Sequence, residues 1–119
     1  MISIVTKWWI VPGNKDRAIP ALRELVRDVE QHEPFTTMYL INTPIVAGSR
    51  PAPPDTEVVF LGTWDDRAAF DQHLNGPVMT GWLARYLDLF LTGNGGFLYV
   101  AAEFLEHQAG FIRSASTGS

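Results

Sequence analysis

Along this chain, apolar residues recur with a period of two in four short stretches and with helical spacing in the stretches between them. Residues 2–11 are rich in β-branched and aromatic side chains and stop at Pro12-Gly13, a turn signal. Their alternate sets are Ile2, Ile4, Thr6, Trp8, Ile10 and Ser3, Val5, Lys7, Trp9, Val11. Both sets are mainly apolar, so this strand is predicted to be covered on both sides. Ile19, Leu22, Val26 and Val29 then share one helical face, with Arg23, Glu24, Arg27, Asp28 and Glu30 opposite. That helix begins either at Asn14, with a kink at Pro20, or at Pro20 itself, and it stops before Pro34. Strands are predicted over 36–42 and 57–64. The proline-rich connection 43–55 between them is either a surface insertion or a flap over a pocket or partner. Asp65 or Asp66 caps a second helix carrying Ala69, Phe70, His73 and Leu74, which Asn75-Gly76-Pro77 interrupts. A further helical run carries Val78, Met79, Trp82, Leu83, Tyr86, Leu87 and Phe90, and the glycines of 93–96 end it. A fourth strand is expected over 97–105, and 114–119 reads as a flexible polar tail.

The order βαββαβ implies an α+β, ferredoxin-like unit: an antiparallel four-stranded sheet with both helices on one face, forming a single domain over 1–113. Helices cover only one side of such a sheet. The other side, still apolar, is expected to meet a second copy face to face, giving a homodimer built as a dimeric α/β barrel.

Composition narrows the function classes. The chain has 119 residues, a net charge of −4 and no cysteine, so thiol nucleophiles, disulfides and Cys-based zinc sites are excluded. Its Lys and Arg residues are scattered rather than clustered, which argues against a nucleic-acid partner. The start, MISIVTKWW, lacks the pattern of a signal peptide, and no apolar run is long enough to cross a membrane. The expectation is a soluble cytoplasmic protein.

Little here is placed for chemistry. The glycine run at 93–96 precedes a strand rather than opening a helix, so it is no phosphate loop. His32-Glu33 and Glu106-His107 are adjacent pairs at the ends of elements, expected to be exposed and poorly arranged as chelates. No metal and no cofactor are expected. His73 shares a helical face with Phe70 and Leu74 and is either a structural histidine or a general base in an aromatic pocket. Trp64, Trp82, Tyr86 and Phe90 are either core or flat walls for a flat substrate. Four tryptophans in so short a chain favour a pocket. Arg85 is either a solvated helix residue or a clamp on a phenolate or carboxylate.

On Glu33-Pro34 leading into a strand with Tyr39, and on the pattern Trp64, Phe70, His73, the chain resembles the antibiotic biosynthesis monooxygenase superfamily. The resemblance implies small dimers with an apolar pocket between sheet and helices, in which quinol, anthrone or related aromatics are oxidised by dioxygen without metal or flavin. With this resemblance, His73, Trp64 and Arg85 are expected in catalysis, and Phe60, Phe70 and Tyr39, together with the aromatic residues Trp82, Tyr86 and Trp8, in substrate binding. Phe70 stands where some members carry a tyrosine, and Phe60 where they carry an asparagine. His73 and Leu83 replace the tryptophan and histidine of the haem-degrading branch, which disfavours haem chemistry. The expected activity is a cofactor-independent monooxygenase acting on a small quinol-like, phenolic or anthrone-like aromatic. The alternatives are a cyclase or isomerase using the same pocket, or a ligand-binding or stress-response protein without turnover.

Overall fold

Among the described residues, four strands and three α-helices follow one another as β1 (Ile2–Trp9), α1 (Lys15–His32), β2 (Thr36–Asn42), β3 (Glu57–Trp64), α2 (Arg67–Asn75), α3 (Pro77–Tyr86) and β4 (Ala101–Glu106). This is a computed structural model describing residues 1–113; the tail expected at 114–119 lies outside the described residues. The strands form one sheet in the order β2-β3-β1-β4, every neighbouring pair antiparallel. This is the expected ferredoxin-like α+β arrangement, and β2 and β3 keep the bounds read from the sequence.

Of the two starts left open for the first helix, the structure takes the earlier: α1 runs from Lys15, with Asn14 at its N-cap, and includes Pro20. Asp16, whose carbonyl loses its partner to the proline ring, is exposed, as is Pro20 itself, so water can replace the missing bond. The last helical run stops at Tyr86 instead of continuing to Phe90. After a short 3₁₀ turn, Leu87–Leu89, the buried Phe90 is extended and bridges to Ile10. The Leu91 amide donates to the Trp9 carbonyl at 2.8 Å. The fourth strand begins at Ala101 because 97–99 fold back on the preceding segment, with the Tyr99 amide donating to the Leu91 carbonyl at 3.0 Å. Gly95 and Gly96 permit that reversal with φ of 79° and 76°. The glycine run is therefore a hairpin turn and not simply a helix stop.

The helices cover the sheet face that carries Ile4, Trp8, Val58 and Phe60. Leu22, Leu25 and Val29 of α1, Met79 and Trp82 of α3, and Phe90 close the main core over it. A smaller cluster of Ile4, Trp64 and Phe70 lies at the other end of the same face, under α2. The sheet's outer face carries a central row in which Leu40 lies beside Leu61 and Leu61 beside Val5, with Val59 beside Lys7 and Leu105 beside Ser3. Lys7 and Glu57 form an ion pair on that face at 3.4 Å, so the expectation of two uniformly apolar faces holds in part. Leu40 and Leu105 are 49% and 39% exposed there.

Candidate active site

The site is assembled where α1 ends, β2 begins, β3 ends and α2 starts. Pro34 disfavours helical backbone at Glu33, and Glu33 caps α1 with its amide donating to the Val29 carbonyl. Across from it, Asp66 begins α2 by accepting from the Ala69 amide at 2.9 Å. The cap sets the rotation of α2, so that Phe70 and His73 face inward while Arg67, Asp71 and Leu74 lie toward the rim.

His73 and Glu33 are both buried, at 4% and 3% exposure, and His73 Nδ1 lies 2.6 Å from Glu33 Oε1. A carboxylate oxygen accepts, so Nδ1 carries the hydrogen, and in the neutral imidazole the lone pair is then on Nε2. The same Glu33 oxygen accepts from Thr36 Oγ1 at 2.9 Å, and Thr36 Oγ1 in turn accepts from Trp64 Nε1–H at 2.9 Å. The four side chains thus form one hydrogen-bonded chain drawn from four elements or their ends. Glu33 corrects the sequence reading, which left it at an exposed helix end. The signal was present in the Glu33-Pro34 pair, but only the fold brings it to a histidine 40 residues away.

His73 forms part of the wall of a cavity of about 340 Å³, a small ligand site by volume. Trp8, Tyr39, Phe60 and Phe70 of the expected binding set line it, as does Trp64 of the expected catalytic set, with Ile4, Met79 and Leu83 and, from the fourth strand's side, Val100, Ala102 and Phe104. The rings of Tyr39 and Trp64 stand 5.1 and 5.2 Å from that of His73. Trp64 presents only its ring, since Thr36 takes its N–H. Burial, reinforced by the charge of Glu33, pushes the Tyr39 phenol above its ordinary value, so it can donate but does not ionise in the neutral range. Gly62 lies beneath the Trp64 ring: a Cβ there would fall 2.3 Å from Trp64 Cη2.

Three expected site residues are placed outside this cavity. Trp82 is fully buried in the main core, and its Nε1–H donates to the Ala21 carbonyl at 2.8 Å. The Tyr86 hydroxyl donates to Glu24 Oε2. Arg85, expected at the pocket mouth, lies on the far side of α3, 3.4 Å from Glu24 and 3.9 Å from Asp28 of α1. The charge at the mouth is instead Arg67, which the sequence reading passed over.

The family model for antibiotic biosynthesis monooxygenase matches residues 1–85, which hold all four members of the hydrogen-bonded chain. The chain belongs to the antibiotic biosynthesis monooxygenase family. Solved structures share its fold. A crystal structure of an antibiotic biosynthesis monooxygenase superposes with a TM-score of 0.71 at 20% identity, covering 92% of this chain and all (100%) of that one. A protein from Mycobacterium tuberculosis gives 0.68 at 15% identity, covering 92% and 96%. A protein of unknown function from Nitrosomonas europaea gives 0.70 at 15%, covering 96% and 95%. No curated protein matches. At such identities the structures establish a common fold for this family member, while its chemistry has to be argued from the side chains of its own cavity.

Proposed function

We propose that the protein is a cofactor-independent monooxygenase that oxidises a small electron-rich aromatic with dioxygen. One observation carries the reading: His73 is held by the buried Glu33 at 2.6 Å and forms part of the wall of a mainly aromatic and aliphatic cavity. Nε2 would take the proton of a phenolic substrate, and Glu33 would stabilise the imidazolium that results. The phenolate is electron-rich enough to give an electron pair to dioxygen. A C–O bond forms at the ring carbon para to the oxygen, and the proton returns from His73 to the peroxide. Loss of the ring C–H and cleavage of the O–O bond then release water and leave a quinone. Phenol and dioxygen thereby become quinone and water, with every atom and electron placed.

The wall residues support this chemistry by holding the ring and excluding water, which strengthens the electrostatics inside. The Tyr39 O–H is the polar group best suited to meet the developing oxyanion. Phe60 and Phe70 contribute contact only, so His73, Tyr39 and Thr6 are the lining residues, besides Arg67, with a polar side chain to offer.

The unit would work as a homodimer through the outer sheet face, where the row of Leu40, Leu61 and Val5 has no cover from the helices. Sedimentation of the protein should show a dimer at micromolar concentration, and Leu40→Glu should shift it toward monomer.

The decisive experiment is oxygen uptake with phenols, quinols and anthrones. His73→Ala should lower turnover by about 10²- to 10⁴-fold, the ordinary value of a positioned base. An unchanged rate would remove His73 from the mechanism, and product formed under strictly anaerobic conditions would replace the oxygenase with a cyclase or isomerase.

A further inference from the structure

Among the described residues that line the cavity, Arg67 alone carries a fixed charge. It is the first residue of α2, and its side chain is 65% exposed, so it stands at the mouth rather than in the interior. Its guanidinium lies over the ring of Phe104, 4.4 Å from the centroid, and 6.0 Å from that of Phe70. The two rings pack edge to face at 5.3 Å and form a ledge under it. Nε is engaged by Asp71 Oδ1 at 3.2 Å, which steadies the group from behind and leaves both terminal nitrogens without a hydrogen bond among the described residues. A planar cation supported on an aromatic ledge, with its fork free beside an apolar cavity, suits a carboxylate held through paired hydrogen bonds.

We propose that Arg67 is a specificity-determining residue and that the substrate is an aromatic acid, its ring beside His73 and its carboxylate at Arg67. The proposal takes from the proposed function only that this cavity holds the substrate. The two residues are six positions apart on one helix, so their backbones are separated by roughly 9 Å along its axis. A fused two-ring phenol with the acid at the far end spans that distance.

Binding of 6-hydroxy-2-naphthoate and of its uncharged counterpart, 2-naphthol, to the full-length protein under nitrogen tests this by titration calorimetry. Wild-type protein should bind the acid, and Arg67→Gln should weaken it by about tenfold, the scale of one charge-assisted contact, while leaving 2-naphthol unchanged. Arg67→Lys, which keeps the charge and loses the fork, should fall between. Raised salt should weaken the acid alone. Equal affinity of wild type and Arg67→Gln for the acid overturns the proposal, as does an acid that wild type does not bind. Neither result depends on oxygen chemistry. A protein that binds the acid through Arg67 but consumes no oxygen would keep this inference and lose the monooxygenase.

Discussion

His73 Nδ1 and Glu33 Oε1 lie 2.6 Å apart, buried together, although the two residues are 40 positions apart in the chain. Removing the charge while keeping the shape separates orientation from electrostatics. Glu33→Gln should keep the fold and lower kcat for oxygen uptake by about 10- to 100-fold, because the imidazolium formed on His73 loses its counter-charge. KM should move little. A kcat within twofold of wild type would show that the pair is structural.

Thr36 links Glu33 to Trp64 through two 2.9 Å hydrogen bonds. Thr36→Val keeps the volume and removes the hydroxyl, leaving the Trp64 N–H and one Glu33 lone pair without this partner. Stability should fall by about 1–3 kcal/mol, read from urea midpoints, and the near-ultraviolet dichroism of the indole should change. If both stay as in wild type, the relay contributes nothing to holding Trp64.

Gly62 and Gly81 make opposite predictions. A methyl on Gly62 would lie 2.3 and 2.6 Å from Trp64 ring atoms, so Gly62→Ala should displace the indole, cost about 1–3 kcal/mol and narrow the cavity. Gly81 is exposed within α3 with nothing near its missing Cβ, and Gly81→Ala should stabilise the protein by about 0.5–1 kcal/mol. Thermal unfolding of the two variants reads both signs in one experiment.

The Tyr39 phenol is raised in the folded protein by burial and by Glu33. Unfolded tyrosine ionises near pH 10, so above that pH the unfolded state binds fewer protons than the folded one. The stability Tyr39 contributes is therefore complete below about pH 10 and declines as pH rises beyond it, by roughly 1.4 kcal/mol per pH unit. The difference in unfolding free energy between wild type and Tyr39→Phe should be flat from pH 6 to 9 and shrink above 10. A constant difference across pH 10–11.5 would show that the phenol ionises normally.

Local periodicity and punctuation were enough for most of the architecture. The strands 36–42 and 57–64, the break at Asn75-Gly76-Pro77 and the βαββαβ order follow from alternation, helical spacing and the backbone limits of proline and glycine, all of which act over a few residues. His73 was legible as a candidate because its neighbours at helical spacing are apolar. What tertiary structure alone decided is which polar groups meet. Glu33 read as a helix end, and it became the partner of His73 only when the β2–β3 hairpin and α2 folded against the end of α1. Arg85 was singled out in the sequence and Arg67 was passed over. The rotation of each helix set Arg85 against Glu24 and Asp28 and Arg67 over the ring of Phe104 at the cavity mouth. Hydrogen bonds and charge recognition depend on distances of a few ångströms between residues far apart in the chain, and a pattern with a period of two or 3.6 carries no information at that range.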